Sequence, residues 1–249
     1  MANNNLKHGV TLAIPAAHEA DNLKILLPVI IEKLKSLNLD YDILIVDRDK
    51  AKCLKDPDAT PQVAEDFGAK YFNQEFPGLG GAIKTAVIHA EREKFLILDG
   101  DGSHNPEYIP EIYKKYIEDN CDVVIGSRYT KGGHTHDKLI SIILSRILNF
   151  VFRIITGIKA HDISTNYRLY DTEQLKNIEI TCPNYDVQQE LLLRLKLNNK
   201  NLKIEEVPIT FEKRIYGESK RQFLKFVIDY AKSMFTMSAI RVKHAFKNK

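Results

Sequence analysis

Short apolar runs alternate with longer stretches of helical period through the first half of the chain. Residues 10–14, 43–46, 70–72, 95–98 and 123–125 are brief, nearly continuous runs of aliphatic and aromatic residues, the pattern of strands buried on both faces. Between them, about 19–37, 62–67, 81–91 and 106–119 place apolar residues at three- and four-residue spacing and predict helices. This alternation predicts an α/β fold with a mostly parallel central sheet and helices on both faces. In such a sheet ligands bind in the crevice beyond the carboxyl ends of the strands, and polar residues follow each predicted strand. The second half predicts an amphipathic helix over about 138–156, a polar turn-rich stretch, a helix near 187–197, a strand over 204–211 and a long C-terminal helix from about Ser219.

The most apolar stretch, 139–158, is interrupted by Ser145, Arg146, Asn149 and Arg153, which helical spacing gathers on one side. Such a stripe argues against a membrane span. No internal repeat or flexible linker divides the 249 residues, so one domain over 1–249 is expected. Lys plus Arg number 36 against 33 Asp plus Glu, and a net charge of +3 gives no reason to expect nucleic acid as a partner. Cys53, Cys121 and Cys182 lack metal-ligand spacing and are odd in number, which fits a reducing compartment better than a disulfide framework. The polar residues 1–7 do not read as a signal peptide, so a cytoplasmic location is expected.

Chemistry concentrates where the run 95–98 leads into Asp99-Gly100-Asp101-Gly102-Ser103-His104. Two carboxylates one residue apart at a crevice mouth repel each other unless a cation sits between them. Hard oxygen donors of this kind suit Mg²⁺ or Mn²⁺, which bind through one or two carboxylates plus substrate phosphates. A solvated turn uses the same residue types, so the pair alone does not decide the matter.

The surrounding residues carry a resemblance. Asp99 to Pro110, DGDGSHNPEYIP, is similar to the donor-metal segment of the dolichyl-phosphate mannose synthase group within the family 2 glycosyltransferases of the GT-A fold. In the same order as in that group come Gly78-Leu79-Gly80-Gly81-Ala82 before a helix and Gly126-Ser127-Arg128-Tyr129 after a strand. Pro208-Ile209-Thr210-Phe211 then leads to Arg214, Gly217, Ser219 and Lys220. Asp162-x-Ser164-Thr165-Asn166-Tyr167-Arg168 resembles a segment that in relatives usually reads Asp-x-Thr/Ser-Ser-Gly-Phe-Arg. The resemblance spans some 210 residues.

It implies a metal-dependent transfer of a sugar from a nucleoside diphosphate sugar. The acceptor would be a polyprenyl phosphate or a saccharide or lipid-linked glycan. Residues 1–125 would form the nucleotide-binding half, and 126–249 the acceptor-binding half with its C-terminal amphipathic helix. Asp99 and Asp101 would hold Mg²⁺ or Mn²⁺; Pro15, Glu19, Asp47, Gly80 and Lys84 would meet the nucleotide; Arg128, Arg214 and Lys220 would pair with phosphate oxygens. Glu190 would orient or deprotonate an acceptor hydroxyl, or else be a plain helix glutamate. His104 would support the metal ligands or cap the next helix. Phe223, Val227, Tyr230 and Met234, with Lys225, Lys232 and Arg241 nearby, would form a stripe that either packs on the core or lies on the inner face of a membrane.

Two segments depart from the group. Pro15-Ala16-Ala17-His18-Glu19 keeps only the proline and glutamate of Pro-x-Tyr-Asn-Glu, and Asp47-Arg48-Asp49-Lys50-Ala51-Lys52 has Arg48 where relatives carry a second acid. A guanidinium only donates hydrogen bonds, so Arg48 would turn selectivity toward bases rich in acceptors or make binding depend less on the base altogether. These departures keep open a degenerate nucleotide-sugar-binding module or partner subunit, and the Asp pair on an α/β sheet also suits a second alternative, a nucleotidyltransferase. The second would need a Gly-rich basic loop after the first strand, which residues 15–19 are not.

Overall fold

The computed structural model describes residues 6–48, 59–216, 232, 235–242, 244 and 246. The first half builds β1 (Lys7–Ala16), α1 (Ala20–Ser36), β2 (Tyr41–Asp47), α2 (Thr60–Asp66), β3 (Lys70–Asn73), α3 (Gly78–His89) and β4 (Arg92–Ile97). A 3-10 turn over Pro106–Tyr108 leads into α4 (Ile109–Glu118) and β5 (Val123–Ser127). Next come β6 (His134–Thr135), α5 (Leu139–Thr156), β7 (Arg168–Asp171) and α6 (Thr172–Lys176). The last elements are α7 (Val187–Asn198), β8 (Ile204–Pro208) and β9 (Thr210–Phe211).

The main sheet has seven strands in the order β3-β2-β1-β4-β7-β5-β8. β1 pairs parallel with β2 and β4, β2 with β3, and β5 with β8. Successive side chains point to opposite faces, so Leu12, Ile14, Ile43, Ile45, Leu96 and Leu98 pack with α1 and α4. Ala13, Val46, Phe95 and Ile97 pack on the other face with α3 and α7. The near-continuous apolar runs of β1, β2, β4 and β5 are this two-sided burial; β3, expected to be buried as well, lies at the sheet edge and has no buried residue.

Two features depart from the sequence reading. β7 is antiparallel to both of its neighbours, β4 and β5; four residues, two of them charged, give too little pattern to announce a central strand. The expected strand over 204–211 is divided at Ile209, because β8 joins the main sheet while β9 pairs with β6 in a small second sheet. The C-terminal stretch is described only in part. Residues 235–242 are helical, with Met237 buried and Phe235 exposed; Lys220, Phe223, Lys225, Val227, Tyr230 and Met234 lie outside the described residues.

α5 is turned opposite to an ordinary surface helix. Its polar Ser145, Asn149 and Thr156 are buried with Phe152, whereas Leu139, Ile140, Ile143, Ile147, Phe150 and Ile154 are exposed. Asn149 accepts a hydrogen bond from the Ile163 N–H at 3.2 Å, which satisfies a buried backbone donor. The helix is long and apolar enough to cross a membrane, with a mean hydropathy of 1.9. Of the expected polar stripe, Ser145 and Asn149 face the protein, whereas Arg146 is exposed and Arg153 half-buried.

Candidate active site

The parallel register aligns the carboxyl ends of β1, β2 and β4, with Ala16 opposite Asp47 and Ala13 opposite Ile97. The chain then leaves β4 through Leu98, whose N–H still donates to the Ala13 carbonyl at 3.3 Å, and delivers Asp99 and Asp101 beyond the sheet. Gly102 adopts φ +82°, where a Cβ would also lie 2.5 Å from Ile215 Cγ1, so the turn and the close pass of segment 212–216 both require glycine. That segment straps the loop: the Glu212 N–H donates to the Ser103 carbonyl at 2.9 Å, and the Ile215 N–H donates to the Asp101 carbonyl at 3.1 Å. The Tyr216 N–H reaches Asn22 Oδ1 on α1 at 3.1 Å.

Both acidic side chains of the loop are held by the protein, Asp101 through both oxygens and Asp99 through one. Asp101 Oδ1 accepts from the Ser103 N–H at 3.0 Å and from its hydroxyl, while Asp101 Oδ2 lies 3.0 Å from Arg214 Nε. Asp99 Oδ1 accepts from Asn166 Nδ2 at 2.9 Å. His104 is buried and accepts the Asp99 N–H on Nδ1 at 3.0 Å, with Nε2 3.3 Å from Thr165 Oγ1. Burial pushes its pKa down against the pull of Asp99 and Asp101, so the ring is neutral, Nδ1 is the acceptor and Nε2 carries the proton. The 3.6 Å approach of Nδ1 to Asp99 Oδ2 is therefore not an ion pair. His104 supports the loop rather than capping a helix; Asn105 takes the capping role, accepting from the Glu107 N–H at 3.0 Å.

Glu19 precedes α1 and belongs to the same group. Its pKa is raised first by burial and then by the negative charges of Asp101 and Asp99, with Asn22 and Arg214 opposing. Carboxylates that repel in this way, with a guanidinium already on one of them, form a site that favours added positive charge. Among the described residues no cluster of three or more His, Cys, Asp or Glu side chains could enclose a metal ion. Asp99 and Asp101 do fit a hard divalent cation that completes its shell with substrate oxygens, and Arg214 marks the position of positive charge on Asp101.

Other expected site residues are engaged differently. Asp47 accepts from the Arg48 N–H at 2.8 Å and from the Tyr71 hydroxyl at 3.1 Å, at the end of β2; Arg48 is exposed beside it. Pro15 is half-buried near the end of β1. Lys84 sits on α3 with its ammonium 4.2 Å from the centre of the Phe76 ring. Gly80 packs rather than cradles: its N–H donates to the Pro183 carbonyl at 3.0 Å, and a Cβ there would lie 1.8 Å from the Cys182 carbonyl oxygen. That N–H is taken, so the anion-binding role expected of Gly80 is replaced by close contact between α3 and the 182–183 loop.

Arg128 also differs from expectation. Instead of standing free for phosphate, it is buried and donates through Nε to Asp162 Oδ2 at 2.7 Å and through Nη2 to Asp162 Oδ1 at 2.9 Å and Ser164 Oγ at 2.8 Å. Burial alone would raise the Asp162 carboxyl, but the Arg128 charge and hydrogen bonds overcome this and hold it at about 2. Glu190 is fully enclosed, accepting from the Thr181 and Cys182 N–H groups at 3.0 and 2.7 Å and from Arg194 Nε at 2.8 Å. A carboxylate so occupied has no free lone pair for an acceptor proton; it ties the 181–182 loop to α7. Lys220 lies outside the described residues. The sequence reading gave no role to Ser103, Asp162 or Asn166. The one available signal was a polar run, 162–166, inside a matched segment.

Comparison with known proteins adds the family. Residues 11–179 match the profile of Glycosyl transferase family 2. A dolichyl-phosphate hexose transferase of Haloferax volcanii is 34% identical over 193 residues, covering 76% of this chain and 81% of the relative. A dolichol-phosphate mannosyltransferase of Pyrococcus furiosus is 29% identical over 238 residues, covering 92% of this chain but 63% of the relative's length. Among solved structures, the glucosyl-3-phosphoglycerate synthase of Mycobacterium tuberculosis with Mn²⁺ and UDP superposes with TM-score 0.68 at 14% identity, over 92% of this chain and 78% of the other. A mannosyl-3-phosphoglycerate synthase from Rubrobacter xylanophilus gives TM-score 0.71 at 16% identity, over 96% of this chain and 75% of the other. Seven strands with helices on both faces, an acidic loop at the carboxyl end of β4, and a family profile spanning most of the sequence together place the chain in glycosyltransferase family 2, as a hexosyltransferase of GT-A fold.

Proposed function

We propose that this hexosyltransferase moves a sugar from a nucleoside diphosphate sugar to a polyprenyl phosphate at a membrane surface. The observation that carries the reading is the paired carboxylates of Asp99 and Asp101 beyond the end of β4, Asp99 held through one oxygen by Asn166 and Asp101 through Ser103 and Arg214. Mg²⁺ or Mn²⁺, when bound there, supplies the positive charge that stabilises a departing nucleoside diphosphate. The protein's own residues do the rest. Asp47 and Glu19 face the nucleoside, and the strap 212–216 closes over the loop so that Arg214 brings a guanidinium to the phosphates, with Lys220 following it in sequence. His104, neutral and pinned between Asp99 and Thr165, keeps the loop from rearranging as charge builds up. A phosphate acceptor is already anionic at neutral pH and needs no strong general base, in keeping with the occupied Glu190 carboxylate.

The acceptor assignment draws on the two dolichyl-phosphate relatives and on α5, whose exposed apolar face suits contact with lipid. A groove of about 300 Å³ at the end of this face brings Arg153 and Lys159 beside Phe150 and Ile154, a mixture suited to anionic headgroups over acyl chains. The enzyme on this reading is peripheral, on the cytoplasmic face.

The test is transfer from UDP- and GDP-linked hexoses to a short polyprenyl phosphate, with Mn²⁺ and with chelator, in wild type and Asp101→Asn. Transfer that needs both the metal and Asp101 supports the reading. Nucleotide binding without transfer would favour the degenerate binding module, and equal rates with chelator would remove the metal.

A further inference from the structure

We infer that Asn166 is a positioning residue for the metal carboxylate Asp99, and that the segment 162–166 holds the acidic loop of β4 and Arg128 in register. The inference rests on the metal reading above. Asp101 has its Oδ1 fixed from within its own loop, by the backbone and hydroxyl of Ser103. Asp99 has no such local partner for its carboxylate. Its Oδ1 is held instead from just before the start of the neighbouring strand β7, by Asn166 Nδ2 at 2.9 Å, a residue 67 positions later in the chain. A carboxylate only accepts hydrogen bonds, so the amide must present its NH₂ group to Asp99. Asn166 is 3% exposed and Asp99 far more open, with 29% of its side chain accessible. The buried partner is therefore the fixed one, and it orients the exposed one.

The neighbours of Asn166 extend the hold. Thr165 meets His104 Nε2, whose other ring nitrogen accepts the Asp99 N–H, so the backbone and side chain of Asp99 are fixed by consecutive residues. Ser164 and Asp162 take the Arg128 guanidinium. Partners that orient metal ligands commonly change affinity by about 10- to 100-fold when removed.

Mn²⁺ binding to the full chain, followed by electron paramagnetic resonance without nucleotide, tests the inference. Asn166→Ala is expected to weaken Mn²⁺ affinity about 10-fold, and Asn166→Gln, which keeps an amide donor, to recover part of the loss. Equal affinity in wild type and Asn166→Ala overturns the inference while leaving the metal site intact; failure of the wild type to bind Mn²⁺ overturns both. If Asn166→Ala does not fold, the Asn166 side-chain amide resonance of the wild type is followed during Mg²⁺ titration. A shift that saturates with metal binding supports the role, and an unmoved resonance overturns it.

Discussion

Arg128 and Asp162 show how a residue singled out for binding is captured by packing. A buried guanidinium without a counter-charge is costly, and the bidentate contact with Asp162 relieves that cost at the price of exposure to substrate. Asp162→Asn leaves Arg128 buried beside a neutral partner and is expected to destabilise the protein by about 3–5 kcal/mol, measured by urea denaturation at neutral pH. The pair also has a pH signature. Because the folded carboxyl lies at about 2, below its ordinary value of 3.8, the unfolded chain takes up the proton first. The pair's contribution is complete above that ordinary value and is lost as pH falls toward the folded one. Wild-type denaturation midpoints should therefore drop through this window, and the part of the drop due to the pair should be missing in Asp162→Asn.

Among the elements, α3 and α5 carry the clearest consequences. The first turn of α3 presses against the carbonyls of Cys182 and Pro183, so Gly80→Ala drives a methyl into backbone that Glu190 holds in place. Overpacking of this kind costs about 1–3 kcal/mol, and the melting temperature should fall by several degrees. Affinity for nucleoside diphosphate in the folded variant should stay near wild type, since the Gly80 N–H serves Pro183 and not a ligand. In α5 the exposed apolar face contributes little to the core. Ile147→Glu combined with Phe150→Glu should leave the melting curve nearly unchanged and abolish co-sedimentation with vesicles containing anionic lipid at low salt. Unchanged pelleting would assign membrane contact to another surface.

For the whole molecule, the crevice matters because it is assembled from distant parts of one chain: Glu19 before α1, Asp99 and Asp101 after β4, Asn166 before β7, and Arg214 in the strap. A ligand that bridges them binds the folded chain and not the unfolded one, which stabilises it by about 2.7 kcal/mol at 100 times Kd. Nucleoside diphosphate and Mn²⁺ added together should raise the melting temperature by several degrees, and either alone by much less, because each supplies charge that the other's site needs. Additive small shifts would show two independent sites.

The strands β1 to β5 and the helices between them were legible in the sequence because burial on both faces of a sheet and on one face of a helix writes a local period. The Asp99–Asp101 pair stood out as two acids directly after a buried strand, but only the surrounding DGDGSHNPEYIP segment separated a candidate cation site from a solvated turn. What the tertiary structure decided was pairing. Whether Arg128 meets phosphate or Asp162, whether Gly80 offers its N–H to an anion or to Pro183, and whether Glu190 faces an acceptor or the 181–182 loop depend on which segments arrive beside them. β7 entered a central position without a period of its own because its register is set by β4 and β5. The polar stripe of α5 was visible as spacing, but its inward direction followed from polar groups of 145–156 meeting those of 163–164 across the fold. Sequence fixes the faces an element offers; contact between distant segments decides which face is covered, since hydrogen bonds and buried charge are satisfied by partners that only folding brings together.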